Sequence, residues 1–278
     1  MNTKEKISTI FKIFGKIIKT PKSIFWVLKD ETSYENQLRR KYGRIQFPSV
    51  DINQFLIEGR GEISTYTFLS GSSLVTDLVL LKSLAQSIPD CNYLEIGMWR
   101  GESIVNVAET ATHCTSVNLS PEEMIRMGLP PKYAQLHGCL VGERSTIQII
   151  HANSLKFDFS TLNSRYDLIF VDGDHKYEAV KSDTEKVFSL LRNDDSMIVW
   201  HDYGYDPETP RYSVIAAILD GLPPEEHQYL YHVSNTMCAI YTKKKMKSSL
   251  LDSPVTPDKI FCVQLKTSPL SLPQVKTL

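Results

Sequence analysis

The sequence predicts an α/β fold, a doubly wound sheet whose strands run mostly parallel. Three observations carry that expectation. From residue 92 onward, short apolar runs alternate with helix-length amphipathic stretches, the signature of strand–helix–strand units. Hydrophobic residues at 42% and charged residues at 23% sit at globular averages, which excludes fibrous and wholly disordered classes. A chain of 278 residues also buries enough surface to need neither disulfide nor structural metal, and none of its stretches reaches the roughly 18 apolar residues of a spanning helix.

The elements follow in order. Residues 4–20 space Ile7, Ile10, Phe11, Phe14, Ile17 and Ile18 three and four apart, with Lys4, Lys12, Lys16 and Lys19 between them. That is a basic amphipathic helix, ended by Pro21, and the apolar cluster Ile24–Leu28 follows. Residues 4–28 could lie on an anionic membrane, or dock on the chain's own domain or on a second copy in a homo-oligomer. Amphipathicity alone does not choose between these. Residues 30–70 are polar, without a strong period, and read as a connection with helix pieces. Ser72 or Ser73 is placed to cap a helix carrying Leu74, Leu78, Leu81 and Ala85 on one face.

Strands are expected at 93–96, 115–119, 148–151, 167–171 and 196–200, with helices at 102–112, 176–191 and 212–220. Ser120-Pro121-Glu122-Glu123 opens a further helix with a cap, a first-turn proline and a glutamate three on. Two last strands, 229–233 and 237–241, have no helix between them and predict an antiparallel hairpin at one sheet edge. Seven strands result. The chain divides into a basic helical extension at 1–69, a domain at 70–242, and a Lys-, Ser- and Pro-rich, partly disordered tail at 243–278.

Charge follows the same division. The net charge of -1 hides +7 on residues 1–45, +5 on 243–278 and -13 on the part between. An acidic middle leaves no basic face for nucleic acid. Five cysteines, Cys91, Cys114, Cys139, Cys238 and Cys262, are odd in number, widely spaced and without a CxxC pair. That is neither a disulfide framework nor a zinc ribbon, and it points to a reducing, cytoplasmic setting, with the inner membrane face as a place for peripheral contact. The N-terminus lacks the uninterrupted apolar core and cleavage site of a signal peptide.

Three motifs carry chemistry. Glu95-Ile96-Gly97-Met98-Trp99-Arg100-Gly101 lies where a strand turns into a helix. Its glycines let the backbone turn and come close to a ligand, so Gly97→Val is expected to fill ligand space and spare the fold. Asp172-Gly173-Asp174-His175 and His201-Asp202 end the fourth and fifth strands. Ligands of open α/β sheets bind outside those strand ends, so all three motifs converge on one crevice. Caps and a satisfied core histidine would explain single members, but buried carboxylates without partners are costly as a set.

The runs YLEIGMWRGES, FVDGDHKYEAVKSD and IVWHDY, in that order, resemble the class I S-adenosylmethionine-dependent methyltransferases. They look most like the subgroup with metal-assisted sugar and natural-product O-methyltransferases, over about residues 70–242. The resemblance implies a Rossmann-like sheet and places Glu95, Gly97 and Gly101 around the methionine part of S-adenosylmethionine. It puts Asn118 where the family usually has the ribose-binding acid, and Asn153 and Ser154 near the adenine. It further implies a divalent cation, Mg²⁺ or Mn²⁺, held by Asp172, His201 and Asp202, with His201 standing where the family has an acid. Asp172 and His175 become the catalytic pair, His175 as the base.

The chemistry agrees with this division of roles. A sulfonium methyl group is already activated, so the protein must align and deprotonate the nucleophile. A sugar hydroxyl is a very weak acid, which a cation makes more acidic and a histidine can then deprotonate. The expected function is therefore O-methylation of a saccharide or similar hydroxyl-bearing metabolite. A non-catalytic S-adenosylmethionine-binding module remains open through Asn118 and His201. A nicotinamide-dependent oxidoreductase is disfavoured by the missing GxGxxG.

Overall fold

The computed structural model describes residues 31–270. The expected 4–20 helix and the apolar cluster after it, together residues 4–28, lie outside the described residues. Two units are compact in themselves, Met1–Ile45 and Gln46–Leu278. In the first, helix α1 (Glu31–Tyr42) opens with Glu31 and closes with Arg39, Arg40 and Lys41, so its charges oppose the helix dipole. An i,i+4 pair, Glu35 with Arg39 at 2.7 Å, ties two of its turns.

The second unit is built on one nine-stranded sheet. Its strands are β1 (Ser49–Val50), β2 (Asn92–Ile96), β3 (His113–Asn118), β4 (Ile147–His151), β5 (Leu168–Val171), β6 (Met197–Trp200), β7 (Leu230–Val233), β8 (Ala239–Tyr241) and β9 (Ser248–Ser249). The order across the sheet is β4-β3-β2-β5-β6-β8-β7-β1-β9. Strands β4, β3, β2, β5 and β6 are parallel, and β8 runs against both β6 and β7.

The helices of this unit are α2 (Val75–Gln86), α3 (Glu102–Val107), α4 (Pro121–Arg126), α5 (Pro131–Leu136), α6 (Tyr177–Phe188) and α7 (Tyr212–Gly221). Central strands are apolar on both faces because both faces are covered. Tyr93, Leu168, Phe170, Met197 and Val199 pack with Leu80, Leu81 and Leu84 of α2 and Ile104, Val105 and Val107 of α3. On the opposite pleat, the Trp200 indole donates to Thr184 Oγ1 of α6 at 2.9 Å.

Three expectations change. The sheet has nine strands rather than seven, because β1 and β9 join it from outside the expected 70–242 domain. Each is two residues long, too short for a period-two pattern to register. The β7–β8 pair is antiparallel as expected but interior, since β8 lies between β6 and β7 and the edge on that side is β9. Helix α3 stops at Val107, where the expected helix ran to 112, and the chain turns into β3.

The cap of α2 also differs. Leu74, and not Ser72 or Ser73, holds the N-cap position, and its N–H donates to the Asp77 carboxylate three residues on at 2.7 Å. At α4 the expected cap is present, with Ser120 Oγ accepting from Glu123 N at 3.1 Å. Of the C-terminal tail, Lys259 reaches Asp51 at 3.4 Å and Gln46 donates to the Leu251 carbonyl at 3.2 Å.

Candidate functional site

Strand order reverses at β2, so the carboxyl ends of β2, β5 and β6 open side by side where ligands of such sheets bind. At the first of these ends Gly97 is left-handed, with φ of 86°. A Cβ there would lie 2.6 Å from the Asp172 carbonyl carbon and 2.7 Å from Gly173 Cα. The glycine is therefore dictated by the close passage of β5, a backbone neighbour, and not by ligand space alone. Gly101, with φ of 95°, forms the N-cap of α3, and a Cβ would press on Val141 at 2.9 Å.

Glu95 lies behind this loop, fully buried. Tyr93 Oη donates to one of its oxygens at 2.7 Å and Ser103 Oγ to the other at 2.9 Å. Burial pushes its pKa up to about 8 against those two hydrogen bonds, which favour the carboxylate. Its position ties β2 to the start of α3. Asn118, at the end of β3, is a strut of the same kind: its Oδ1 accepts from Met98 N at 3.2 Å, and its amide nitrogen lies 3.3 Å from His137 Nδ1.

The acid cluster forms at the other two strand ends. Val171 and Trp200 are paired in register, so the next residues, Asp172 and His201, emerge as neighbours. His201 Nδ1 lies 3.2 Å from Asp172 Oδ1 and 3.6 Å from Asp202 Oδ2. One ligand atom from each of Asp172, His201 and Asp202 falls within 4.8 Å of the others, the only such group among the described residues. Asp202 takes the left-handed conformation, φ 55°, which aspartate tolerates better than most side chains and which turns its carboxylate back over the strand ends. His175 approaches from the start of α6, its Nδ1 3.3 Å from Asp202 Oδ2. Arg211 reaches Asp202 Oδ1 at 3.5 Å and lies over the Tyr205 ring, 4.4 Å from its centroid.

Electrostatics bind this group together. Burial disfavours the His201 imidazolium, yet the charge of Asp172 and contacts with Asp172, Asp202 and Asp77 outweigh it and hold its pKa well above the ordinary histidine value. Burial raises the Asp172 carboxyl, and His201 partly offsets that. Asp202 is held well below the usual carboxylate range: burial opposes this, but His175, His201 and Arg211 prevail. Several acids around one imidazole suit a divalent cation in place of the proton, since oxygen and imidazole ligands serve Mg²⁺ and Mn²⁺. The donor set fits such an ion.

The remaining expected residues divide. Asn153, just beyond β4, lines a surface cavity of about 380 Å³ together with Glu123, Ala152 and Phe157. Ser154 turns away toward α6, where its carbonyl accepts from Lys186 at 2.6 Å and its hydroxyl engages Asp183. Asp174 is not in the acid cluster either; it accepts from Lys176 N at 3.2 Å and pairs with the Lys176 ammonium at 2.7 Å.

Sequence reasoning missed several residues. Asp77 of α2 is fully buried, with Oδ2 3.1 Å from His201 Nε2. A signal was available, since Asp77 falls three after Leu74 and four before Leu81, an acid on the apolar face. Residues 64–73 form a strap pinned to α3 and the glycine loop: Glu102 accepts from Thr67 N at 2.7 Å, and Arg100 donates to the Ser70 carbonyl at 2.6 Å. Its crest, Phe68 and Leu69, is about three-fifths exposed at 62% and 59%. Beside the strap, Trp99 stacks on Tyr133 at 4.3 Å and meets His137 edge-on at 4.8 Å. No periodic pattern announces contacts of that kind.

Residues 94–203 match a family model described as a methyltransferase domain. No match is found among curated protein sequences. Similar solved structures include a putative caffeoyl-CoA O-methyltransferase from Staphylococcus aureus, 21% identical, covering 60% of this chain and 82% of its own, with a TM-score of 0.44. An O-methyltransferase from Bacillus cereus in complex with SAH is 14% identical over 63% of this chain and 84% of its own, with a TM-score of 0.43. A methyltransferase from Podospora anserina, also SAH-bound, is 16% identical over 62% and 80%, with a TM-score of 0.44.

Proposed function

We propose that the class I methyltransferase domain at residues 94–203 uses S-adenosylmethionine to methylate a hydroxyl oxygen, on a saccharide or a similar polyhydroxylated acceptor, with the help of a divalent cation. The observation that carries this reading is the convergence of Asp172, His201 and Asp202 at the adjoining ends of β5 and β6, beside the Gly97 loop at the end of β2.

Asp172, His201 and Asp202 would hold the cation, whose chemistry there is to make a coordinated hydroxyl more acidic. His175 would take the released proton. Its Nδ1 faces Asp202 at 3.3 Å, so a proton on Nδ1 is stabilised by that carboxylate and Nε2 is left to accept. With the side chain 58% exposed, His175 can pass the proton on to solvent. Tyr205, half exposed beside Arg211, offers an aromatic face at the rim, a surface that suits the C–H face of a sugar ring.

The test is release of S-adenosylhomocysteine from a glycan mixture, with S-adenosylmethionine affinity measured in parallel. His175→Ala should lower turnover by roughly 10²–10⁴-fold, the usual size of a general-base contribution, with cofactor affinity unchanged. Unchanged turnover in that variant would remove His175 from the reading. Binding of the cofactor without product from any hydroxylated acceptor would favour a binding module instead.

A further inference from the structure

We propose that Asp77 is a positioning residue that fixes the tautomer of His201, presenting its Nδ1 lone pair to the cation; this rests on the metal reading above. Asp77 lies 124 residues upstream of His201 and belongs to a different element, yet its Oδ2 sits 3.1 Å from His201 Nε2. The same oxygen accepts from Leu74 N at 2.7 Å, and Oδ1 accepts from Met237 N at 2.9 Å, with the Cys238 thiol 3.7 Å away. Three elements, the start of α2, the β7–β8 turn and the end of β6, thus converge on one carboxylate with no solvent exposure.

Capping α2 does not require such a residue. An acid at the exposed side of the first turn would serve as well, without the cost of several kcal/mol that burying a carboxylate carries. What burial adds is orientation. A carboxylate can only accept, so Nε2 must carry its hydrogen toward Asp77. Nδ1, on the other side of the ring, faces Asp172 and Asp202, 3.2 and 3.6 Å away, so it is the nitrogen whose proton a cation would replace. Partners of this kind behind a ligating imidazole set both its tautomer and its basicity.

Asp77→Asn weakens this control. Each carboxylate oxygen accepts from a backbone N–H, Leu74 N on Oδ2 and Met237 N on Oδ1, so in either orientation the amide nitrogen meets one of those donors and His201 Nε2 loses its charged acceptor. The expected result is a 10–100-fold loss of Mn²⁺ affinity, the usual range for such a partner, with S-adenosylmethionine affinity unchanged. Mn²⁺ titration of wild type and Asp77→Asn by electron paramagnetic resonance reads this directly. Nitrogen-15 histidine spectra of Mg²⁺-loaded wild type, with the His201 signal assigned by its loss in His201→Gln, read the tautomer without altering Asp77. Equal Mn²⁺ affinity in a folded Asp77→Asn variant would overturn the proposal, as would an Nδ1–H tautomer in the loaded wild type. Should the variant not fold, the wild-type tautomer decides alone. Absence of Mn²⁺ binding by the wild type is a different outcome: it overturns the metal reading and this inference with it.

Discussion

Asp172→Asn is expected to lower turnover by roughly 10²–10³-fold, the scale on which a lost electrostatic stabiliser is felt. The side chain keeps its size but loses its charge, so a cation held there as proposed would lose one of two formal negative ligands. Cofactor affinity should persist, because Asp172 contributes its backbone and not its carboxylate to the packing around Gly97. Structure should persist as well. The substitution removes one of the like charges crowded around His201, and a side chain 26% exposed can satisfy an amide with water. Turnover, bound metal and melting temperature measured on one preparation check all three parts. A variant that melts far below wild type would instead make Asp172 a structural acid.

Gly97→Ala should prevent stable folding. The added methyl group would overlap the Asp172 carbonyl oxygen and lie 2.6 Å from the carbon that bears it, and the φ of 86° strains any side chain. Neither neighbour is the free end of a flexible side chain. Both belong to the backbone joining β5 to the acid cluster, where the Asp172 N–H is already committed to the Ile96 carbonyl at 2.8 Å. The two strands would have to separate at the site itself. A cost of about 4 kcal/mol or more is a large share of the roughly 5–15 kcal/mol that keeps a domain folded. Soluble yield and the urea midpoint report it. A well-folded Gly97→Ala protein that fails only to bind cofactor would restore the ligand-space explanation given by sequence reasoning.

Much of the architecture could be read from the sequence because parallel strands covered on both faces are continuous apolar runs, and those runs end in the residues that matter. Asp172 follows Leu168–Val171 and His201 follows Met197–Trp200, so the strand ends lead straight to the candidate site residues. What could not be read is of two kinds. β1 and β9 carry no pattern of their own and exist through pairing with β7 and with each other, a tertiary choice. Asp77 was visible as an acid on an apolar helix face, but its partner lies at the end of a strand 124 positions on, and only folding brings the two within 3.1 Å. Asn118 and Glu95 show a third limit. Both lie in the strands the sequence indicated, yet their side chains are held by Met98, Tyr93 and Ser103 from within the protein, which residue type alone does not reveal.

In the proposed reaction, methyl transfer by this chain depends on a cation held by Asp172, His201 and Asp202. Formation of S-adenosylhomocysteine by metal-stripped protein, before and after Mg²⁺ is added back, tests it most directly. No product above background is expected from the stripped protein, with full recovery that saturates as one ion binds per chain. Full turnover in protein shown to be free of metal would contradict it.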